Sequence, residues 1–349
     1  MRKLKNTVLI MMLAVMLIFS LCCCTDNETT GDQTGVIQED KLSIGMSFDS
    51  FVIERWQRDR DVFVQTAKEL GAEVNVQNAN GEVEEQKSQI EYFIKKKVDV
   101  IVIVCIDSDA LSDTIKSAHE AGIKVIAYDR LINNADIDLY ISFDNEMVGT
   151  LMGQSLVDNG IAGGKVVMVG GSPADNNVSL VETAFEKVMR DNNVEIADRT
   201  HCDGWRAELA SDYIYSHRVL VAGCDAVMCG NDNVASQVVN ALAVQRKAGK
   251  ILVTGQDADL EACQRIVEGT QIMTVYKPVE KLARRAAECA VAMAGGQEIS
   301  GSDVGSISNG KKDLPYVKLE PVMVTRENMD EVIIDSGFHS KEEVYLNIK

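Results

Sequence analysis

Six apolar segments of this 349-residue chain end in polar side chains whose chemistry suits a ligand rich in hydroxyl groups. A hydroxyl both donates and accepts hydrogen bonds, so a ring of hydroxyls needs donors and acceptors side by side. Charged partners make these bonds stronger. The segment ends carry carboxylates, amides and fixed cations in this combination: Asp49, Asp129, Arg130, Asp175, Asn177, Asn231, Asp257 and Lys277. The pattern therefore predicts a site for a small polyhydroxylated molecule.

Helix capping is the ordinary explanation for polar residues after strands, because Asp, Asn and Ser cap helix N-termini. Capping needs acceptors, so it does not explain the cations Arg130 and Lys277 or the ring of Trp205. The two tryptophans of the chain, Trp56 and Trp205, each follow a strand end. A flat aromatic face can cover the C–H faces of a sugar ring, although either tryptophan could instead be core.

Short apolar runs alternate with segments of helical period along most of the chain. The predicted strands are 42–48, 74–77, 98–105, 124–128, 140–143, 165–169, 194–197, 225–229, 250–254 and 270–276. The predicted helices are 54–70, 83–96, 109–121, 178–192, 206–215, 233–244 and 260–268. The run 98–105 is almost entirely apolar, as parallel strands buried on both faces require. This alternation predicts an α/β protein with two open parallel sheets. Ligands bind at the carboxyl ends of such strands, where the polar residues stand.

The first forty residues read as an export signal and a tether. A basic head precedes an apolar run over 8–21, which is shorter than the roughly 20 residues of a spanning helix. The run ends in Leu21 and three cysteines, and this ending resembles a bacterial lipobox. Cys24 fits best as the lipidated residue, with Cys22 and Cys23 as alternatives. A plain secretion signal or an uncleaved anchor also remains open. The polar stretch 25–40 is typical of a flexible tether.

Composition argues against several classes of protein and site. A net charge of -18 opposes nucleic-acid binding, and the basic triplet 95–97 suits the end of a helix. Six cysteines beyond the N-terminal segment form no C-x-x-C and the four histidines are scattered, so we expect no metal site. A disulfide is possible outside the cytoplasm, without a pair that the sequence selects. G-x-G-x-x-G, a nucleophile elbow and H-E-x-x-H are missing, so we expect neither an enzyme nor a cofactor.

Six segments together resemble one known family. They are ERWQRDRDVF (54–63), VIAYDRLINNADIDLYISFDNE (125–146), GGSPADNN (170–177), DGW (203–205), GQDADL (255–260) and GTQIMTVYKP (269–278). In this order they resemble the periplasmic D-xylose-binding proteins of bacterial ATP-driven importers, within the ribose/galactose-binding family. The likeness extends over about 41–338 and is weakest in 194–201 and 223–230.

The resemblance implies a two-lobed architecture. Two Rossmann-like lobes with parallel sheets would be joined by a three-stranded hinge, as in periplasmic binding proteins of type I. The crossings would fall near 143–144, 277–278 and 314–319. The first lobe would then contain 41–143 and 278–316, and the second 144–277 and 317–349, after a signal peptide at 1–23 and a tether at 24–40.

The resemblance also implies a site and its partners. Trp56 and Trp205 would sandwich a sugar ring, and Arg55 would lie close by. The hydroxyls would be bound by Asp129, Arg130, Asp175, Asn177, Asn231, Asp257 and Lys277. The ligand would be a monosaccharide, D-xylose first, with L-arabinose, D-ribose, D-glucose and D-galactose open. A monomer would deliver it to a membrane permease, or alternatively present it to a membrane receptor. A transcription regulator of this fold would carry a helix-turn-helix where the export signal stands.

Overall fold

A computed structural model describes residues 41–348. The predicted signal peptide at 1–23, the lipidation site at Cys24 and the tether at 24–40 lie outside the described residues. Six cysteines within the described part are free and buried. No helix found in this part is long and apolar enough to cross a membrane.

The first sheet has seven strands within residues 41–348, in the spatial order β11-β12-β5-β4-β3-β1-β2. All neighbours are parallel except β11 and β12, which are antiparallel. Its strands are β1 Ser43–Phe48, β2 Glu73–Asn78, β3 Val100–Ile103, β4 Lys124–Tyr128, β5 Leu139–Phe143, β11 Val304–Ser308 and β12 Asp313–Leu319. Every residue of β3 is buried, because helices cover both faces of the sheet.

The second sheet has six strands in the described chain, in the order β13-β10-β9-β8-β6-β7. Only β13, at one edge, runs antiparallel to its neighbour. The strands are β6 Lys165–Gly170, β7 Glu195–His201, β8 Ala226–Cys229, β9 Leu252–Gln256, β10 Met273–Tyr276 and β13 Val322–Val324. Two mostly parallel α/β lobes confirm the predicted fold class.

Helices connect the strands and form the outer layers of both lobes. They are α1 Arg55–Glu69, α2 Val83–Lys96, α3 Ser112–Glu120, α4 Asn145–Asp158, α5 Asn176–Asp191, α6 Glu208–Ser216, α7 Arg218–Ala222, α8 Asp232–Val244, α9 Leu260–Glu268, α10 Val279–Ala294 and α11 Lys341–Val344. A short 3₁₀ turn lies at Asp203–Trp205 and a π-helical turn at Asp330–Ile334. The apolar faces of these helices fill separate cores on the two sides of each sheet.

The chain passes between the lobes three times. It leaves the first sheet after Phe143, returns after Tyr276 so that α10 packs on α1, and crosses again between Leu319 and Val322. The resemblance implies this crossing near 314–319, with a lobe boundary at 317, but Val317 pairs with Ile141 of β5 and is fully buried in the first lobe. The crossing therefore lies at 320–321, since β12 continues as a strand of the first sheet to Leu319.

The predicted elements end too early at the C-terminus. The apolar pattern does not predict strands β11, β12 and β13 or helices α10 and α11 there, and earlier in the chain it does not predict helices α4 and α7. β11 is mostly exposed at a sheet edge, so its residues carry little of the apolar periodicity that identifies a buried strand.

Candidate functional site

A cavity lies between the lobes, at the carboxyl ends of strands from both sheets. All ten residues predicted for ligand binding line it: Arg55, Trp56, Asp129, Arg130, Asp175, Asn177, Trp205, Asn231, Asp257 and Lys277. The two βα halves thus bring together groups that are as much as 222 residues apart, from Arg55 to Lys277.

Arg55 opens helix α1 and is almost fully buried. Its guanidinium lies 3.1 Å from the Asp59 carboxylate one turn along the helix and 3.0 Å from Asp129. It also lies 3.9 Å from Asp257 of the second lobe. Tyr128 donates its hydroxyl to Asp59. These contacts fix the guanidinium between a carboxylate of its own helix and two carboxylates of the cavity wall.

Arg130 is the second buried cation of the cavity. Its Nη1 donates to the Asp49 carboxylate and to the Cys105 carbonyl, both at 2.9 Å, within the first lobe. Its Nε lies 2.8 Å from Asp175 of the second lobe. One guanidinium therefore joins the two lobes across the cavity.

Lys277 stands where the chain leaves β10 for the first lobe, and its ammonium lies 3.2 Å from Asp257. Both side chains are buried. Buried charges are costly unless they are paired, so this pair and the arginine contacts explain how the cavity holds charged groups.

The two tryptophans occupy different environments. Trp56 is buried in the first-lobe core, with the Arg55 guanidinium 4.5 Å from its ring centroid. Trp205 is half-buried and lies against Gly171. A Cβ at Gly171 would come within 2.2 Å of the Trp205 ring, so only glycine allows the ring to lie there. Of the two rings, Trp205 has the freer face.

Three cavity residues hold a backbone conformation that is unfavourable for residues with a side chain. The φ angle is 63° at Asp129, 59° at Trp205 and 100° at Asp257. Such angles cost about 1–3 kcal/mol each, and they tend to cluster at functional sites. Here they direct a carboxylate, a ring and a second carboxylate to the same cavity.

The carboxylates of the site differ in acidity. Burial by itself raises the pKa of Asp129, but Arg55, Lys277 and Arg130 outweigh this and hold the pKa below its ordinary value. Burial raises the pKa of Asp175, against the opposing charge of Arg130. Asp129 is therefore an ionised acceptor throughout the physiological range.

Some buried polar atoms of the cavity lining have no hydrogen-bond partner within residues 41–348. They are Trp56 Nε1, Arg130 Nε, Trp205 Nε1, Gln256 Oε1 and Asp257 Oδ1, although Arg130 Nε lies within ion-pair distance of Asp175 and Asp257 Oδ1 within that of Lys277. Nearly all buried polar groups are hydrogen-bonded in folded proteins. Donors and acceptors that remain available in one cavity indicate a ligand that supplies both.

Direct contacts across the cleft hold the lobes together. Asn177 Nδ2 donates to the Asp129 carbonyl at 3.0 Å. The Ser108 backbone donates to the Ala174 carbonyl at 2.9 Å, and the Ser108 hydroxyl accepts from the Asn176 backbone at 3.0 Å. The structure is thus a closed arrangement of the two lobes.

Sequence reasoning did not select several residues of this region. Gln256 and Glu182 line the cavity, and Asp59 is paired to Arg55. Asp49, already noted at a strand end, is paired to Arg130. Asp59 could have been found from its spacing, four residues after Arg55 on one helix. Gln256 could have been found at a strand end, beside Asp257. No group of acidic, histidine or cysteine side chains in the described chain has the arrangement of a metal site.

The chain is similar to known proteins over most of its length. A periplasmic binding protein domain model matches residues 44–298. The D-xylose-binding periplasmic protein of Haemophilus influenzae is 44% identical over 311 residues, covering 87% of this chain and 92% of that protein. The multiple sugar-binding periplasmic receptor ChvE of Rhizobium radiobacter is 30% identical over 328 residues, covering 87% and 93%.

A solved structure is similar over the same region. It is an ABC transporter solute-binding protein from Clostridium phytofermentans with bound β-D-glucose, with a TM-score of 0.79 and 29% identity. The match covers 86% of this chain and 99% of the solved chain. The chain therefore belongs to the periplasmic binding protein family.

Proposed function

We propose that this protein captures a monosaccharide outside the cytoplasm, most specifically D-xylose, and delivers it to an ATP-driven importer without any catalytic step. The observation that carries the proposal is the cavity between the lobes, where buried carboxylates, amides and cations stand beside an aromatic ring. The D-xylose-binding relative supports the choice of sugar.

The chemistry of the cavity suits a ring of hydroxyls. Asp129, Asp175 and Asp257 would accept hydrogen bonds from the sugar, while Arg55, Arg130, Lys277 and the amides of Asn177 and Asn231 would donate them. Trp205 would cover one C–H face of the ring and Trp56 the other. When the sugar binds, its hydroxyls exchange their hydrogen bonds to water for hydrogen bonds to protein groups that are already fixed in place.

Pentose and hexose differ by one CH₂OH group, which a pocket distinguishes by only about 1–3 kcal/mol. Calorimetric titration of the purified protein with D-xylose, L-arabinose, D-ribose, D-glucose and D-galactose tests the choice directly. We expect the tightest binding for D-xylose. Tighter binding of another sugar would reassign the ligand, and binding of none would refute the proposal.

Transport requires a signal that the sugar is bound, and we propose that lobe closure supplies it. Both lobes contribute contacts, so the sugar binds the closed form better than the open one and shifts the equilibrium toward closure. Small-angle scattering should show the radius of gyration falling when saturating D-xylose is added. An unchanged radius with sugar bound would exclude this mechanism.

We further propose that the chain is held to the membrane through lipid on Cys24, as the Leu21–Cys24 ending suggests. Mass spectrometry of membrane-extracted protein should find an N-terminal peptide that begins at Cys24 and carries acyl chains. Two or more chains anchor a protein stably, whereas one binds marginally. A mature protein that begins after residue 25, or one that is wholly soluble on fractionation, would contradict the anchor.

A receptor role is the second candidate, supported by the likeness to a protein described as a multiple sugar-binding receptor. The same closure would then present the sugar to a membrane receptor instead of a permease. Affinity capture of membrane proteins with and without sugar distinguishes the two candidates by the identity of the sugar-dependent partner.

A further inference from the structure

Gln256 ends strand β9, directly before Asp257, and its side chain lines the cavity. It is 5% exposed. Its amide nitrogen donates to the Gly230 carbonyl at 2.5 Å, and this bond fixes which end of the amide is the oxygen. The amide oxygen, Oε1, has no hydrogen-bond partner in the described chain.

The other amide oxygens of the cavity lining are already engaged. Asn177 Oδ1 accepts from the Tyr140 hydroxyl at 3.2 Å, and Asn231 Oδ1 accepts from the Val234 backbone at 2.9 Å as a helix cap. Among the three amides that line the cavity, Gln256 is therefore the one whose acceptor is open. An unpartnered buried acceptor carries a cost of about 1–3 kcal/mol unless a ligand satisfies it.

Resting on the proposed sugar-binding function, we propose that Gln256 is a specificity-determining residue whose Oε1 accepts a hydrogen bond from one hydroxyl of the sugar. The carboxylates of the cavity interact with several donors at once, because each is also paired to a fixed cation. The Gln256 amide is neutral and is held in place by its nitrogen, so Oε1 can accept a hydrogen bond only from a sugar hydroxyl at one position. Gln256 thus makes the protein reject sugars that lack this hydroxyl.

Thr254 provides a matched control on the same strand, two residues earlier. Its hydroxyl is also buried without a partner in residues 41–348, but it does not line the cavity. Comparison of the two positions separates an acceptor that serves the ligand from one that only affects the fold.

The test is a set of double-mutant cycles by calorimetry on the purified full-length chain. Wild type, Gln256→Met and Thr254→Val are each titrated with D-xylose and with the four forms that lack one hydroxyl: 1,5-anhydro-D-xylitol and the 2-deoxy, 3-deoxy and 4-deoxy sugars. Melting temperatures without sugar verify the fold, and Gln256→Asn, which withdraws the oxygen by one methylene, replaces Gln256→Met if the latter does not fold.

We expect Gln256→Met to weaken D-xylose binding about 5- to 150-fold. For one of the sugars that lack a hydroxyl, Gln256→Met should cause no further loss of affinity, because the hydroxyl that Gln256 contacts is already absent. Thr254→Val should leave the ratios among the affinities for the five sugars unchanged.

Equal losses for all five sugars would overturn the inference, since they would mean a structural role, and so would unchanged affinity in the variant. Failure of wild type to bind any sugar would instead refute the proposed function, and this inference with it. Binding by wild type with no coupling to a hydroxyl would refute the inference alone.

Discussion

Two buried aspartates, one in the cleft and one inside the second lobe, differ in the groups that face them. Asp129 lies in the cavity near the cations Arg55, Arg130 and Lys277, and its pKa is below the ordinary value. Asp232 lies inside the second lobe, where Gln271 donates to Oδ1 at 2.8 Å and Thr274 to Oδ2 at 2.7 Å. Burial raises the pKa of Asp232 to about 7, against the charge of Arg265.

The difference shows how one fold separates affinity from stability. Both carboxyls are buried, so burial cannot distinguish them; the number of nearby cations does. Asp129, which faces the cleft, is kept ionised and available to a ligand, whereas Asp232 is satisfied by donors of its own lobe. We therefore expect contacts at the cleft to set sugar affinity, and contacts inside a lobe to set stability.

The largest expected effect is at Asp257, a cleft carboxylate with φ of 100°. Asp257→Ala should weaken sugar binding by about 2–4 kcal/mol, since hydroxyls and the partner cation Lys277 are left unpaired. Asp257→Gly should lose the same affinity while keeping or raising the melting temperature, because glycine adopts this φ without strain. Calorimetry and thermal unfolding measure the two effects.

Normal sugar binding by either variant at position 257 would remove this residue from the site. Unfolding of both would mean that Asp257 stabilises the lobe, and the separation of affinity from stability would be wrong there.

Gly171→Ala tests the contribution of the Trp205 ring, which lies against Gly171 in the cavity. The new Cβ would occupy the place of the Trp205 ring, so the ring must shift and sugar affinity should fall by about 1–3 kcal/mol. Trp205→Ala should give a loss of similar size through the missing stacking surface. The double variant should lose little more than either single one, since both remove the same contact; additive losses would contradict the shared cause.

Stability against pH tests the other side of the comparison. The unfolded pKa of an aspartate is about 4, and that of Asp232 in the folded protein is about 7. Between these values the folded state holds more protons, so its stability falls as pH rises. From pH 5.5 to 8 the titration of Asp232 should lower the free energy of unfolding by about 2 kcal/mol, which is measured as a falling melting temperature.

Asp232→Asn replaces the titrating carboxyl with an amide. It should therefore remove most of the fall in melting temperature with pH, whatever its effect on stability at a single pH. Sugar affinity should change little over the same range, because Asp129 stays ionised. An equal slope in the variant would assign the pH dependence to other groups.

How far the sequence predicts this molecule differs between its parts. Buried parallel strands such as β3 are almost continuous apolar runs, and the fold class followed from them. The edge strand β11 has no such signal. The crossing expected near 314–319 lies after Leu319, because β12 pairs with β5, a strand far away in sequence. Polar strand ends identify candidates, yet only the folded chain shows that Asn231 is occupied as a cap while Gln256 is open.

The smallest expected effect concerns closure itself, and it depends on Ser108. This residue is buried outside the cavity lining, and its hydroxyl accepts from the backbone N–H of Asn176, the first residue of α5 in the other lobe. The free N–H groups at a helix start need an acceptor, and one side-chain cap contributes about 0.5–2 kcal/mol. Here the acceptor comes from the opposite lobe, so the bond exists only when the lobes are closed.

Ser108→Ala should therefore weaken sugar binding by about 1 kcal/mol without touching the sugar, since it removes a bond from the closed form alone. The matched control is Ser112→Ala, whose hydroxyl donates to the Asn134 carbonyl at 3.0 Å within the first lobe. That variant should change thermal stability slightly and sugar affinity not at all. Scattering of sugar-free Ser108→Ala should show a larger radius of gyration than wild type. Equal affinities in the two variants would mean that contacts between the lobes do not bias closure, and that the cavity groups alone determine it.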